Sequence, residues 1–497
     1  MHSLTAKLIA QHLDKSASIT LHKQLYSAIR QCILESSLVA DSRLPASRDL
    51  AKALQLSRNT VLSAYEQLQA EGYIYTQRGQ GTFVNKTQPR NPQLTQHELT
   101  SSLLYSSEVQ LSKRGEALLQ HASSLPTQWT ALMPGAPDVN AFPHILLSRI
   151  QSRIARQPKL DQLIYSQHGG STRLQQVLAH YLASARSVHC EPEQILITEG
   201  IHQALDLVTR MLCNPKDNVW LEDPSYWGTR AILRMNDLAT HAVKVDDQGL
   251  VPPAQGHLPN PRMIFVTPSH QYPLGSVMSL SRRYHLLSLA RSLGAWIVED
   301  DYDSAFRFSG TSIPALQGLE ADAPVIYIGS FSKTLYPALR LGYMVLPKTI
   351  AQQLKTAHCE LYHGGHLMLQ DAMAEFIQNG HYASHIRRMC KLYAKRRQHL
   401  IGLIEQHLGK HALGSYNSNA GLHLILNLAS NKDDIAIAQA ANEQGILVRA
   451  LSKYYLHEKR VKGLIVGFAN TPVEDMEKAF SQLLQCIDNP QYTEPEH

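Results

Sequence analysis

From about residue 126 onward, short apolar runs alternate with segments of helical periodicity, and this alternation limits the folds open to the chain more than any other feature. The runs are Ile195–Thr198, Asn218–Glu222, Met263–Thr267, Ala295–Glu299, Val325–Gly329 and Gly342–Leu346. Several are apolar throughout, as strands covered on both faces must be. Helical patterns such as His202–Cys213 and Arg282–Leu293 lie between them. The alternation predicts an α/β unit, a mostly parallel sheet covered by helices. After Gln370 the pattern turns helix-rich, with strands at Gly421–Leu428, Ile446–Arg449 and Leu464–Ala469. A smaller α+β domain is expected there.

The first 86 residues follow another pattern. Leu21, Leu25, Ala28, Ile29 and Cys32 form one stripe of a helix over Leu21–Glu35. Pro45 precedes a short helix, Ser47–Leu54, and Gln55-Leu56 make a turn. Ser57 is an N-cap for a third helix, which runs from Arg58 to about Ala70. Its inward stripe is Val61, Leu62, Tyr65 and Leu68, which leaves Arg58, Asn59 and Thr60 exposed at the N-terminal end. In a helix-turn-helix that end enters the major groove, where arginine suits guanine and asparagine suits adenine. Beyond Gly72, Tyr73–Gln77 and Thr82–Val84 flank Arg78-Gly79-Gln80-Gly81, a glycine-permitted hairpin that would carry Arg78 to a sugar–phosphate backbone. Charge agrees. Residues 1–86 hold ten Lys/Arg against six Asp/Glu, so four of the net +6 charges lie in this part. A three-helix protein-interaction domain fits the same pattern.

Residues 86–125 are rich in Gln, Ser, Thr and Asn, include Gln88-Pro89-Arg90-Asn91-Pro92, and read as a mostly flexible linker with a helical stretch near Glu116–Gln120. The expected domains are therefore 1–86, a linker 87–125, a large domain 126–369 and a small domain 370–497. No run of about eighteen apolar residues is present, so neither a spanning helix nor a membrane role is expected. The N-terminus breaks its apolar runs with Lys7, Gln11 and His12, unlike an export signal. Six scattered cysteines without a C-x-x-C pair fit a reducing cytoplasm.

Four strand ends of the large domain deliver complementary chemistry. Lys333 follows the run Val325–Gly329, and Asp300 closes Ala295–Glu299. Gly200-Ile201-His202 opens the helix after Ile195–Thr198 and offers backbone N–H groups to a phosphate. Tyr226 follows Asn218–Glu222 through Asp223-Pro224-Ser225. A lysine for a Schiff base, an acid for a pyridinium nitrogen, an aromatic ring cover and a phosphate cradle are what a pyridoxal-phosphate site needs. Ligands of open α/β sheets bind at that edge. Singly, each residue has a plainer reading: a solvated lysine, an acidic loop or divalent-metal site around Glu299, Asp301 and Asp303, a core tyrosine. His358, His363 and His366 lack a matching carboxylate or thiolate set, and no metal is assigned to them.

The stretches Leu44-Pro45-Ala46-Ser47-Arg48-Asp49-Leu50-Ala51, Ser57-Arg58-Asn59-Thr60-Val61 and Arg78-Gly79-Gln80-Gly81-Thr82-Phe83-Val84 closely resemble the GntR-type winged helix. Glu222-Asp223-Pro224-Ser225-Tyr226, Thr267-Pro268-Ser269-His270-Gln271-Tyr272-Pro273, Glu299-Asp300-Asp301-Tyr302-Asp303-Ser304 and Ser332-Lys333-Thr334 through Arg340 to Tyr343 resemble fold type I aminotransferases. Over roughly residues 15–485 the chain resembles the MocR subfamily of GntR regulators, which joins these two parts by a linker. The resemblance implies DNA contacts by Arg43, Ser47 and Arg48 as well as by Ser57, Arg58, Asn59, Thr60, Arg78 and Gly79. It implies that Lys333 forms the internal aldimine, that Asp300 keeps the ring nitrogen protonated and that Tyr302 hydrogen-bonds the phenolic oxygen. Tyr226 would stack on the ring, and Ser330, Arg340 and the backbone of Gly200, Ile201 and His202 would bind phosphate. A homodimer is implied, each winged helix docking on its partner's large domain, so that paired modules read repeated half-sites of double-stranded operator DNA.

Two departures bear on chemistry. Tyr272 stands where many working aminotransferases carry an asparagine. Leu464-Ile465-Val466-Gly467-Phe468-Ala469 lacks the arginine that many place near the C-terminal strand to grip a substrate carboxylate, although Arg449 and Arg460 are not far off. A regulator that senses the cofactor, an amine or an amino acid is therefore expected, with little or no transaminase turnover. The alternatives are an active aminotransferase with an appended DNA-binding domain, or a scaffold with a dead pocket. The resemblance puts pyridoxal phosphate first as effector, ahead of GABA or taurine. Gly228, which leaves room where an arginine would recognise a carboxylate, disfavours GABA.

Overall fold

The structure, a computed structural model, describes residues 2–13, 19–86, 111–120, 129–310, 313–414, 419–457 and 460–489. The sequence's Gln88-to-Pro92 segment and most of the expected linker lie outside these residues. The chain divides into two compact units, Met1–Gln110 and Leu111–His497.

In the first unit, α1 (His2–Ala10), α2 (Leu21–Leu34), α3 (Ser47–Leu54) and α4 (Arg58–Ala70) precede the hairpin β1 (Ile74–Gln77) and β2 (Gly81–Val84). The expected bounds of α2, α3, α4 and the hairpin are met within one or two residues; α1 was not anticipated. Leu25, Ile29, Leu50, Val61 and Leu68 share one core. Antiparallel pairing of Gln77 with Gly81 leaves Arg78, Gly79 and Gln80 at the hairpin tip. The chain before α3 joins this hairpin, because Leu44 N–H donates to Thr82 O (2.8 Å) and Val84 N–H to Ser42 O (3.0 Å).

The second unit opens with α5 (Lys113–Gln120), α6 (His144–Arg156) and α7 (Thr172–Arg186). Then come β3 (Ile195–Thr198), α8 (Ile201–Leu212), β4 (Asn218–Asp223), α9 (Trp227–Met235), β5 (Ala239–Asp246), β6 (Gly249–Leu250), β7 (Met263–Val266), α10 (Leu280–Leu293), β8 (Trp296–Asp301), β9 (Val325–Ser330) and β10 (Gly342–Val345). They build an eight-stranded sheet of order β3-β10-β9-β8-β7-β4-β5-β6. Neighbours from β9 to β5 are parallel, and β10 runs against both β9 and β3. The carboxyl ends of β3, β9, β8, β7 and β4 thus share one edge with the start of β10. Residues of β3, β7 and β10 are all buried, as expected of strands covered on both faces.

β5, the longest strand among the described residues, lies outside the apolar runs of the sequence. Thr240, His241 and Lys244 interrupt its apolar pattern, which a strand with half-exposed residues near the sheet edge tolerates. β8 also runs two residues further than expected, so Asp300 and Asp301 end the strand and point to opposite faces. Asp301 is buried on Arg186 (Nε–Oδ2 2.7 Å) and accepts a hydrogen bond from the Tyr327 hydroxyl.

The remaining elements are α11 (Lys348–Tyr362), α12 (Leu367–Gln378), α13 (His381–Leu408), β11 (His423–Asn427), α14 (Asp434–Glu443), β12 (Arg449–Ala450), β13 (Gly463–Gly467) and α15 (Val473–Asp488). β11, β13 and β12 form a separate antiparallel sheet. Leu132 shares its core with Leu424, Val466 and Phe480, and Gly467 N–H donates to Leu132 O (2.8 Å). That anchor carries the chain into Gly135, which reaches the site described next.

Candidate functional site

At the N-terminus of α4 the Ser57 hydroxyl accepts from Thr60 N–H (3.1 Å) and lies 2.8 Å from the Thr60 hydroxyl. This cap fixes the first turn and leaves Arg58 and Asn59 exposed, with Thr60 half-buried. Arg48 is exposed and Ser47 half-buried at the start of α3; Arg78 and Gly79 are exposed at the hairpin tip. Arg43 packs onto the hairpin, because a side chain at Gly81 would approach its Nε to 2.8 Å. Among the described residues none of Arg43, Arg48, Arg58 and Arg78 is held in an ion pair. Such a helix end with flanking arginines is suited to a nucleic-acid groove.

In the second unit the sheet edge gathers the residues assigned from sequence. Lys333 comes three residues after β9, Asp300 lies near the end of β8, Gly200 caps α8 and Tyr226 caps α9. Arg340 lies two residues before β10, and its guanidinium sits over Gly200, where an added Cβ would lie 3.4 Å from Nη1. A helix N-terminus beside an arginine is suited to an oxyanion. His202 Nε2 and the Tyr226 hydroxyl are 3.0 Å apart. Burial, and then the charge of Arg340, hold the His202 imidazole below its ordinary pKa. Ser330 ends β9, and its hydroxyl accepts from Ser332 N–H (3.1 Å).

Gly228 has a different role from the one expected. A Cβ there would stand 2.3 Å from the Tyr226 ring and 2.5 Å from His202 Nε2. The space is filled, and the missing side chain is what lets Tyr226 and His202 meet. Gly135 plays a similar part opposite Lys333, since a Cβ would come 3.1 Å from Nζ.

Two acids, Asp303 and Asp300, act on the lysine. Burial lowers the Lys333 pKa and Arg449 adds to this; Asp303 and Asp300 oppose it. Asp300 is held well above the usual carboxylate range, first by desolvation and then by Asp301, Asp303 and Glu222; Lys333 pulls it back. Asp303 receives His270 Nδ1 (3.0 Å to Oδ2), and the Tyr302 hydroxyl lies 2.8 Å from the same nitrogen. Tyr272 meets Tyr226 and Tyr302 edge to face, with ring centroids at 5.8 and 5.5 Å.

Gly135, Glu222, His270 and Asp303 carried no assigned role in the sequence reading. Glu222, His270 and Asp303 stand inside the quoted motifs, but nothing in a linear string shows which motif residues converge. Gly135 is distant in sequence and gave no signal.

The comparisons bear on both units. Residues 21–84 match the family of bacterial regulatory proteins of gntR type, and residues 132–483 match aminotransferase class I and II. The probable rhizopine catabolism regulatory protein MocR of Rhizobium meliloti is 37% identical over 95% of this chain and 94% of its own length. The chain belongs to the MocR subfamily of GntR-type regulators. A pyridoxine biosynthesis transcriptional regulator, PdxR of Corynebacterium glutamicum, is 30% identical over 96% of this chain and 98% of its own. The kynurenine aminotransferase of Pyrococcus horikoshii has the same fold as the second unit, with a TM-score of 0.66, 23% identity and coverage of 80% of this chain and 98% of that one. This MocR-type chain is thus a GntR DNA-binding domain joined to an aminotransferase-class domain. Among the described residues no helix is long and apolar enough to cross a membrane.

Glu222 makes the acid cluster testable through pH. Its Oε2 accepts from Thr267 N–H, the Thr267 hydroxyl (2.6 Å) and Gln271, while Oε1 is buried without a partner. Burial pushes its pKa up to about 7, against 4.5 unperturbed, although those hydrogen bonds lower it. Between these values the folded protein keeps a proton that the unfolded chain has released, so this group's contribution to stability falls as pH rises through that window. Glu222→Gln should therefore gain on wild type by up to roughly 3 kcal/mol between pH 4.5 and 7.5. Urea unfolding followed by tryptophan fluorescence at several pH values measures the difference; parallel stability curves for the two proteins would refute the raised pKa.

Proposed function

We propose that the chain is a pyridoxal-phosphate-responsive transcription regulator acting as a homodimer in the cytoplasm on double-stranded operator DNA. The observation that carries this reading is the convergence of Lys333, Asp300, Tyr226, Arg340 and the N-terminus of α8 at one sheet edge, in a chain whose other unit is of GntR type. The residues present fit the group. The cradle of Gly200, Ile201, His202 and Arg340, with Ser330 beside it, would hold the phosphate. Asp300 crowded by other acids favours a cationic partner, which a protonated ring nitrogen provides. Tyr226 would cover one ring face and Tyr302 would donate to the phenolic oxygen.

When bound, pyridoxal phosphate supplies an electrophilic carbon at which Lys333 and an incoming amine can compete. Gly135 leaves the lysine room to swing, and the neighbouring Asp303–His270 pair fixes the Tyr302 hydroxyl. A signal reaches DNA only if the ligand binds two conformations of the dimer with different affinity. On this reading pyridoxal phosphate itself is the first effector to try, and an amine or amino acid the second. An active aminotransferase with an appended DNA-binding domain draws support from one observation, the position of Arg449 on β12 opposite Ile465 of β13.

Two experiments test the proposal. Wild-type protein incubated with pyridoxal phosphate and freed of excess should keep a visible absorption band that Lys333→Ala lacks; a colourless wild type would overturn the cofactor reading. On an operator selected from random duplexes, Arg58→Ala should weaken binding by about 1–3 kcal/mol while binding to random DNA changes little. Equal wild-type affinity for selected and random DNA in an anisotropy titration would contradict sequence-specific regulation.

A further inference from the structure

β13 carries no arginine, but β12 beside it does. In this antiparallel pair Arg449 stands directly opposite Ile465, so the two side chains leave the sheet on the same face. Ile465 is fully buried in a cluster with Tyr454 and Leu274, against which Tyr272 and Trp227 pack. Tyr272 lies edge to face with Tyr454 as well, at 5.6 Å, and their hydroxyls are 3.4 Å apart. Since Tyr272 also touches Tyr226 and Tyr302, the face that carries Arg449 continues into the ring-covering wall of the Lys333 site.

The electrostatics agree with this placement. The charge of Arg449 is felt by Tyr454, Tyr272 and Tyr226. It acts on Lys333 more strongly than Asp300 does. Among the described residues no carboxylate forms an ion pair with it; its neighbours are phenols. A half-buried guanidinium without an ion-pair partner has N–H donors to offer an incoming anion. Nearby arginines are engaged elsewhere: Arg230 donates to Lys453 O (2.9 Å), and Arg460 is exposed. Arg340 is committed to the α8 cradle.

We propose that Arg449 is the oxyanion-recognising residue of this site, and that the amine sensed at Lys333 carries a carboxylate. The inference rests on the cofactor reading above and narrows the ligand class. Arg449 takes over, from the neighbouring strand, the gripping role for which β13 has no residue. A guanidinium fork and a carboxylate pair through two parallel hydrogen bonds, which fixes ligand orientation as well as affinity.

The test uses full-length protein loaded with pyridoxal phosphate, titrated by visible absorbance with L-alanine, β-alanine and 4-aminobutanoate, each against the alkylamine of matching length. At least one acid should bind roughly tenfold or more tightly than its alkylamine. Arg449→Gln should erase that ratio, and Arg460→Gln should preserve it. A visible absorption band of wild-type intensity before titration shows that the variant is folded and loaded. Wild type without preference for any acid, or Arg449→Gln retaining the preference, would overturn the inference alone. A wild type that shows no band at all removes the cofactor reading and this inference with it.

Discussion

The buried ion pair between Arg186 and Asp301 decides which face of β8 each of two adjacent acids occupies. Arg186 also donates to Ser269 Oγ (2.6 Å) and Ile313 O (2.7 Å), and Asp301 accepts from Tyr327 on the next strand. Removing one partner of such a pair leaves an uncompensated charge in the interior, at a cost of about 3–5 kcal/mol. With Asp301 held there, Asp300 must face the other way. A one-residue slip of β8 would exchange the two acids. The register with β9, Asp300 opposite Ile328, then sets Asp300 against the loop that carries Lys333.

Around that fixed point the site is a balance of charge. Asp300 and Asp303 act on one lysine, Glu222 acts on Asp300, Arg449 acts on the lysine with the opposite sign, and Arg340 sits over the α8 N-terminus. Crowded acids raise each other's pKa, and a buried lysine loses its proton more easily. The arrangement suits a cationic ring nitrogen, an anionic phosphate and an amine in competition with Lys333. It also suits a sensor, because each of these groups changes the local charge when it arrives.

Much of this was legible in the sequence. The α2–α4 helices and the hairpin announced themselves through Leu and Val stripes, the Ser57 cap and the glycines around Arg78. The strands β3, β7, β9 and β10 showed as apolar runs because both faces are covered. β5 did not, since Thr240, His241 and Lys244 break its pattern. Residues adjacent to strand ends, such as Lys333, Asp300 and Gly200, could be placed because the topology of a parallel sheet brings those ends together. Contacts across the fold could not. Nothing near Gly135 shows that it faces Lys333, and only strand register reveals that Arg449 stands opposite Ile465. Gly228 was misjudged for the same reason: the linear string suggests space, whereas Tyr226 and His202 fill it.

The central claim is that cofactor binding at Lys333 and DNA binding at α4 are linked in one molecule. Anisotropy titrations of a labelled, selected operator with and without saturating pyridoxal phosphate test it most directly, with Lys333→Ala run alongside. Linkage predicts a wild-type affinity change of roughly fivefold or more, in either direction, that Lys333→Ala does not show. Identical wild-type curves in the presence and absence of cofactor would contradict it.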